Sequence, residues 1–415
     1  MRWNYMLYGR KDAPIEWLKE CTEYLAHLGF TPNPVDPSVW TLKGKNGDAS
    51  KDVDVGVFVD DFLIQGPAEK VEWFEAKLQA KWPVKLLGDI DGQQYLGMDI
   101  QIDRTKRVLR ITQTKSIQKF LLNSGMANAS SRSTPLDANC KQHLIKRPGV
   151  CENLELQTEF RKIVGSLMHY AVVSRPDLAY AAISLARLQA NPSEVHLKYA
   201  KQAMKYLKST SEIGLCYFCD DRLSGSLVAA PDADWAERDD GTSTTGNVVF
   251  VGGCALSWIC ASQHCVAHSS CESEYVALDS CGREVEYLLM LFESMNLHVN
   301  KPVVVLEDNQ SAIAMTLGRS VYKRSKHINL RYHYVRQLIA QGKLEIRYQP
   351  TELQPADLFT KALAHTLFLR HASVVMGNSK FRLGQSPAVE YECLLDNHNS
   401  GYLCRQRDTS RSLRV

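Results

Sequence analysis

Two adjacent carboxylates, Asp60 and Asp61, lie inside an otherwise apolar run over residues 55–64. The run predicts a β-hairpin or a buried strand pair, where ionised carboxylates are costly unless their charge is compensated. Hard divalent cations such as Mg²⁺ prefer oxygen ligands and are the usual compensation. The alternative is a polar turn between two strands, because Asp is common in turns. The residues alone leave both interpretations open.

A second set of acids falls at the ends of predicted elements within residues 223–365. In chain order these acids are Asp232, Asp234, Glu272, Glu274, Glu307, Asp308 and Asp357. Strand ends and the helix starts that follow them meet at one edge of a mixed sheet, so carboxylates from four elements could converge there. Such a cluster repels itself unless metal ions fill it, and a pair of metals about 4 Å apart is a standard arrangement for cleaving phosphodiesters. Each acid alone could instead be a helix N-terminal residue favoured by the dipole, but together they predict a metal site.

The hydrophobic pattern predicts the helices and strands that carry these acids. In the first part, helices are predicted over 14–28, 69–81 and 113–125, and strands over 38–42, 94–102 and 108–111. Residues 126–157 are polar and predict a linker, and residues 158–210 are predicted to be helical throughout. The last of these helices carries Lys198, Lys201, Lys205 and Lys208, which form either a solvated face or a phosphate contact.

A second α/β unit is predicted from about 223 to 365. Its strands are 226–232, 245–251, 254–260, 303–307 and 343–349, and its longest helix is 271–297. The polar tail, 378–415, predicts little regular structure. The fold class is therefore α/β and α+β.

Composition sets wider limits on the chain. Its 415 residues suggest two or three domains, and the net charge of +3 is compatible with nucleic acid without arguing for it. No apolar stretch approaches the ~18 residues of a membrane span. The first residues lack the apolar core of a signal peptide, which predicts an intracellular protein, cytoplasmic or nuclear.

Several short motifs, in order from about residue 5 to 365, resemble the Pol polyprotein of copia-type LTR retrotransposons. Residues 7–14, 58–61 and 95–98 resemble its reverse transcriptase, and residues 164–167 and 175–177 resemble its connection. The motifs that resemble its ribonuclease H domain are 232–235, 270–275, 307–312, 326–328 and 356–361. The resemblance implies four segments: a partial palm and thumb (1–135), a linker and helical connection (136–222), a ribonuclease H-like domain with a mixed five-stranded sheet (223–377), and the tail (378–415).

The resemblance also implies a site. It assigns Asp232, Glu274, Asp308 and Asp357 as ribonuclease H metal ligands for two Mg²⁺ or Mn²⁺ ions, with an RNA–DNA hybrid as the substrate. It separates Glu274 from Glu272, which point about 200° apart on a helix. His327 and His333 match a family motif, but no chemical role follows for them.

The chain departs from the family pattern in three places. Pro231 stands where the family usually has Ser or Thr, and a proline there predicts a distorted first strand; Glu237 stands where the family usually has Gly. The polymerase pair, Asp60 and Asp61, needs a third aspartate from an earlier family segment. Asp52 and Asp54 belong to the same strand region as the pair and cannot replace it, so polymerase activity is expected to be lost.

Two functions from different classes follow. The first is metal-dependent cleavage of RNA in RNA–DNA hybrids by a retrotransposon-derived fragment. The alternative is a non-catalytic, nucleic-acid-binding remnant, or a truncated gene model of a full RNA-directed DNA polymerase. The sequence predicts neither the host nor the oligomeric state.

Overall fold

The computed structural model describes residues 13–44, 51–219, 225–236, 239–318, 329–377 and 409–414. The chain divides into two compact units. One comprises Met1–Leu96, Met290–His298 and Tyr402–Val415, and the other comprises Gly97–Leu289 and Val299–Gly401. Across the described ranges, every helix is too short or too polar to span a lipid bilayer.

The helices and strands are numbered in chain order. The helices are α1 (Ala13–His27), α2 (Ala68–Lys81), α3 (Thr114–Asn123), α4 (Leu154–Val173), α5 (Ala179–Ala186), α6 (Glu194–Ser209), α7 (Ser270–Ser294), α8 (Gln310–Thr316), α9 (Asn329–Ala340), α10 (Asp357–Thr360) and α11 (His365–Val375). The strands are β1 (Thr31–Pro32), β2 (Val39–Leu42), β3 (Val53–Phe58), β4 (Asp61–Gly66), β5 (Lys85–Asp89), β6 (Gln94–Tyr95), β7 (Met98–Asp103), β8 (Val108–Thr112), β9 (Leu215–Phe218), β10 (Leu227–Asp234), β11 (Thr244–Val251), β12 (Cys254–Ser262), β13 (Val303–Glu307), β14 (Leu344–Tyr348) and β15 (Thr409–Arg414).

The first unit is built on a six-stranded sheet in the order β1-β2-β3-β4-β15-β5. Alternate residues of β3 and β4 are buried, as expected for strands with one face on a core. Residues of α1 and α2, among them Leu25 and Phe74, pack in the same core. The prediction of an irregular tail is wrong at its end, because β15 pairs with β4 and β5; residues 378–408 lie outside the described part of the chain.

The predicted strand over residues 94–102 is interrupted. Leu96 and Gly97 adopt left-handed backbone conformations, with φ of 49° and 78°, between β6 and β7. A strand cannot pass through two such residues. The periodicity of the side chains does not report this backbone reversal, so the sequence predicted one strand where the chain forms two.

Helices α4, α5 and α6 make up the predicted helical region, with interruptions near Pro176 and Pro192. Phe160 and Leu167 of α4 and Met204 of α6 are fully buried in one cluster. Two of the four lysines of α6 contact other protein groups. Lys201 Nζ lies 2.7 Å from Glu159 Oε1, and Lys208 Nζ donates to the carbonyl oxygen of Ala129 at 2.5 Å.

The second unit contains the predicted mixed five-stranded sheet, which is confirmed. Its order is β12-β11-β10-β13-β14. The pairs β10–β11 and β11–β12 are antiparallel, whereas β10–β13 and β13–β14 are parallel. The carboxyl ends of β10 and β13 therefore meet at the same edge of the sheet.

Pro231 does not distort β10, so the predicted distortion is wrong. The strand stays in unbroken register with β11, while its parallel pairing with β13 ends at Ala229. The carbonyl of Pro231 accepts a 3.1 Å hydrogen bond from the side-chain amide of Gln354, which also donates to Leu306 O at 3.0 Å. The N–H and C=O of a residue in an antiparallel ladder face the same neighbour. The backbone nitrogen of Pro231 therefore points to the same side as its carbonyl, towards Gln354. Its lack of an N–H group removes no hydrogen bond to β11.

Candidate metal centre

Three carboxylates converge at the edge where β10 and β13 end. Asp232 comes from β10, Glu274 from the second turn of α7, and Asp308 directly follows β13. One oxygen atom from each lies within 4.8 Å of the others. Asp232 and Glu274 are only 3% and 6% exposed, and Asp308 is half-buried. Such a set of carboxylate oxygens is well suited to bind a hard divalent cation.

The electrostatics of Glu274 also fit a bound cation. Burial, followed by repulsion from Asp232, Glu307 and Asp308, raises the pKa of Glu274 well above its usual value. Its Oε2 atom is buried and accepts no hydrogen bond from the described residues. Burying a carboxylate oxygen without a partner is costly, and a metal ion at this edge would remove that cost.

Asp308 has one local partner. Burial is the main effect that raises its pKa, repulsion from Asp232 adds to it, and a hydrogen bond with the side chain of Thr351 opposes it. Thr351 begins a short 3-10 helix that follows β14. Thr351 therefore holds Asp308 from the connection after β14, and one Asp308 oxygen lies within 4.8 Å of an Asp232 oxygen.

Asp357, the fourth predicted ligand, lies beside Asp232 and shares a side-chain hydrogen bond with it, but it is not one of the three acids whose oxygen atoms all converge within 4.8 Å. Its Oδ1 atom lies 2.7 Å from Lys361 Nζ, four residues further on. Burial and repulsion from Asp232 raise the pKa of Asp357 to about 7, despite the opposing lysine. In the same segment, the hydroxyl of Thr360 donates a hydrogen bond to Asp232 Oδ2. The predicted four acids are thus arranged as three that converge and one that is paired with a lysine.

Glu307 is a further acid of this site: it was among the acids found at element ends, but the resemblance did not assign it as a metal ligand. It is fully buried, and its Oε1 atom accepts the backbone N–H of Asn309 at 3.0 Å. Burial, with repulsion from Asp308 and Asp232, raises its pKa well above the usual value. Its position beside Asp308, at the end of an apolar strand, was the signal in the sequence.

Glu272, which the residues alone left as an alternative to Glu274, caps the start of α7. Its Oε2 atom accepts the backbone N–H of His268 at 2.8 Å, and Ser269 Oγ accepts the N–H of Glu272 at 3.2 Å. This reciprocal arrangement satisfies two N–H groups at a helix start. Glu272 is therefore occupied in holding the helix that presents Glu274.

The Asp60–Asp61 pair lies at a hairpin. Phe58 pairs with Asp61 across β3 and β4, and Val59 and Asp60 form the turn. Val59 has a φ of 53°, which is unusual for a β-branched residue, and its carbonyl accepts the indole N–H of Trp17 at 2.5 Å. The predicted hairpin is present, and so is the polar turn that was the alternative to a metal site at this pair.

No third ligand joins that pair within the described residues, where the Asp232 cluster is the one convergent group of three. Asp52 accepts the backbone N–H of Gly44 at 2.6 Å, and Asp54 accepts the hydroxyl of Thr41 at 2.8 Å. The side chains of Asp52 and Asp54 therefore accept hydrogen bonds from residues in and next to β2. Glu237 and His327 lie outside the described residues, and His333 falls in α9.

Gly246 sets how closely α10 approaches the sheet. It pairs with Asp232 across β10 and β11. A Cβ atom at Gly246 would lie 2.8 Å from both Phe359 Cβ and Thr360 Cγ2 and 3.0 Å from Ala356 O. These distances are shorter than van der Waals contact, so only glycine lets Asp357 and Thr360 reach Asp232.

We expect Gly246→Ala to lower the free energy of unfolding by about 1–3 kcal/mol, the usual cost of overpacking. Urea unfolding measures it. Gly165→Ala is the matched control, because Gly165 is an exposed residue of α4 with nothing within 4 Å of a Cβ atom. That control should be neutral or stabilising by about 0.5–1 kcal/mol. Equal effects of the two substitutions would contradict the close approach of α10.

The acid cluster also predicts a pH-dependent response to Mg²⁺. Glu274, Glu307 and Asp357 have pKa values raised by burial, that of Asp357 to about 7. Between about pH 4.5 and 7 the folded state then holds protons that the unfolded state has released, so stability falls as pH rises. Mg²⁺ should offset this loss where the acids are ionised. A ligand at about 100 times its dissociation constant adds about 2.7 kcal/mol of stability.

Melting temperatures with and without Mg²⁺, at constant ionic strength, test this expectation. The increase should be several degrees at about pH 8 and much smaller at about pH 5.5. An equal increase at both pH values, or none at either, would show that Mg²⁺ does not bind the ionised cluster.

This chain thus contains a mixed five-stranded sheet with acids at one edge, preceded along the sequence by a reverse transcriptase segment. A family model described as reverse transcriptase (RNA-dependent DNA polymerase) matches residues 1–138. The Pol polyprotein from transposon TNT 1-94 of Nicotiana tabacum is 32% identical over 369 residues, which cover 88% of this chain and 27% of that protein. The Pol polyprotein from transposon RE1 of Arabidopsis thaliana is 32% identical over 373 residues, covering 89% and 24%. This chain belongs to the copia-type retrotransposon Pol family.

The chain spans about a quarter of the length of those relatives. Among solved structures, the N-terminal ribonuclease H domain of a Mycobacterium tuberculosis protein, fused to maltose-binding protein, is 17% identical with a TM-score of 0.26. That comparison covers 36% of this chain and 98% of the solved chain.

Proposed function

We propose that this chain cleaves the RNA strand of RNA–DNA hybrids in a reaction that depends on divalent metal ions. The observation that carries the proposal is the convergence of Asp232, Glu274 and Asp308 within 4.8 Å at one sheet edge. Membership of a retrotransposon Pol family supports the choice of nucleic acid as substrate.

The three convergent carboxylates would hold the first ion, and Asp357 would help to hold a second. Bound divalent ions supply a nucleophilic water at neutral pH and stabilise the charge on the leaving oxygen. The chain's own contribution is orientation. The Thr360 hydroxyl fixes the Asp232 carboxylate, and groups that orient ligands in this way typically change metal affinity or activity by about 10- to 100-fold.

Three labelled duplexes test the proposed substrate: an RNA–DNA hybrid, double-stranded RNA and double-stranded DNA, each with Mg²⁺ or EDTA. We expect Mg²⁺-dependent cleavage of the RNA strand in the hybrid alone. Equal cleavage of all three duplexes would point to a general nuclease and contradict the proposal.

The alternative of a non-catalytic binding module has its own signature. In that case wild type and Asp308→Asn would bind hybrid equally, and neither would cleave it. If instead wild type cleaves and Asp308→Asn only binds, the catalytic function holds.

We further propose that this chain, acting alone, does not extend a primer. Asp60 and Asp61 lack a third convergent ligand among the described residues, and phosphoryl transfer depends on metal positioning. Primer extension on an RNA template, with Mg²⁺ and all four deoxynucleotides, measures this. Extension by the purified chain would overturn this part of the account.

A further inference from the structure

We propose that Lys361 is a built-in cation of the metal centre, which keeps a second divalent ion out of the protein until a substrate phosphate draws the lysine away. This inference rests on the proposed function. It concerns metal stoichiometry and its coupling to nucleic acid, not the identity of the reaction.

The geometry places the ammonium group at the Asp357 side of the site. Lys361 Nζ lies 2.7 Å from Asp357 Oδ1, and the Asp357 side chain is only 2% exposed. The preceding residue, Thr360, bonds to Asp232, so α10 holds Lys361 beside the cluster. Asp232, Asp357 and Asp234 all attract the lysine. The ammonium thus neutralises the acid that a second ion would need.

The first ion does not depend on Asp357, because Asp232, Glu274 and Asp308 converge without it. A second ion held between Asp232 and Asp357 would meet the positive charge of Lys361 at close range. Repulsion between a divalent and a monovalent cation at such distances is large, even at the high effective dielectric near a protein surface. One tight and one weak site should result.

The Lys361 side chain is also able to move away from Asp357. Its side chain is 37% exposed, and it has a flexible stem that ends in a compact charge. The phosphodiester backbone of a nucleic acid is the anion that reaches such a site in the proposed reaction, and phosphate oxygens bind lysine readily. Movement of Lys361 to a phosphate would open the second metal position only when substrate is present. Metal and substrate binding would then be reciprocally coupled.

The test is a calorimetric titration of the full chain with Mn²⁺ in the absence of nucleic acid. Wild type should take up one ion tightly. Lys361→Met should take up a second ion at least about tenfold more tightly than wild type does, because the competing charge is gone. Lys361→Arg keeps the charge and should resemble wild type.

Lys343→Met is the matched control. Lys343 Nζ lies 2.6 Å from Glu286 Oε1, and its side chain is 30% exposed, so it loses a comparable ion pair that involves none of the convergent acids. This variant should bind Mn²⁺ like wild type. Lys361→Gln repeats the test with a polar side chain should Lys361→Met unfold.

The outcomes separate the two proposals. Two equally tight ions in wild type contradict the inference without any variant. One ion in wild type with no gain in Lys361→Met or Lys361→Gln overturns the role of Lys361 and leaves the proposed function standing. Failure of wild type to bind any Mn²⁺ removes both.

Discussion

Replacement of Glu274 by Gln is expected to reduce hybrid cleavage by more than about 100-fold, because loss of even an outer-shell partner of a metal typically costs about 10- to 100-fold. The substitution keeps the size of the side chain and removes a charge from the convergent three. The measurement is the initial rate of RNA-strand cleavage at saturating Mg²⁺. Glu286→Gln is the matched control, since it makes the same change on the same helix, in a residue that pairs with Lys343.

The melting temperature of Glu274→Gln is a second measurement, and a damaged fold would not give the increase that we expect. Glu274 is buried, with one oxygen that has no hydrogen-bond partner among the described residues. Without metal, the neutral amide removes repulsion from Asp232 and Asp308, so the variant should melt above wild type at about pH 8. With Mg²⁺ the order should reverse or the difference should vanish. A variant that cleaves at the wild-type rate would remove Glu274 from the proposed site.

Arg175→Met is expected to have the largest effect on stability, a loss of about 3–5 kcal/mol, because it leaves a buried charge without its partner. Arg175 is fully buried, and its guanidinium donates to both oxygens of Asp177 at 2.9 and 2.7 Å. The same group donates to the carbonyl and hydroxyl oxygens of Thr210 at 2.9 and 2.7 Å. Tyr206 donates to Asp177 at 2.5 Å. This network ties the end of α4 to α6.

Urea unfolding of three variants separates burial from charge at this position. Arg347→Met is the surface control: its 2.8 Å pair with Glu345 is 31% and 43% exposed, and exposed pairs contribute about 0–1 kcal/mol. Arg175→Met/Asp177→Leu should recover part of the loss, since both charges leave together. If Arg175→Met and Arg347→Met destabilise equally, the buried network does not hold these helices.

Local pattern explains which parts of this fold could be predicted. The hairpin around Asp60 followed from the apolar residues on both sides of the Asp60–Asp61 pair, and the succession of strands and helices along residues 223–365 followed from well-separated periodic segments. The break at Leu96 could not be seen, because a left-handed residue leaves no mark in side-chain period. The pairing of β15 with β4 joins segments more than 300 residues apart, and no local signal specifies that.

The candidate site shows the same division. The acids stood at element ends in the sequence, and the edge where they meet follows from parallel β10 and β13. The spacing of Asp357 and Lys361 is that of neighbours on a helix, so their ion pair could be predicted from the sequence. The contact of Thr360 with Asp232 and the need for Gly246 depend on how α10 packs on the sheet. Packing of that kind is not encoded by any single segment.

To decide whether this chain is a ribonuclease, the folded wild-type chain is incubated with a hybrid labelled on both strands, across a Mg²⁺ titration, and hybrid binding is recorded in the same samples. We expect the RNA strand to shorten only when Mg²⁺ is present and the DNA strand to stay intact. Bound hybrid whose RNA strand remains whole at every Mg²⁺ concentration would contradict this expectation.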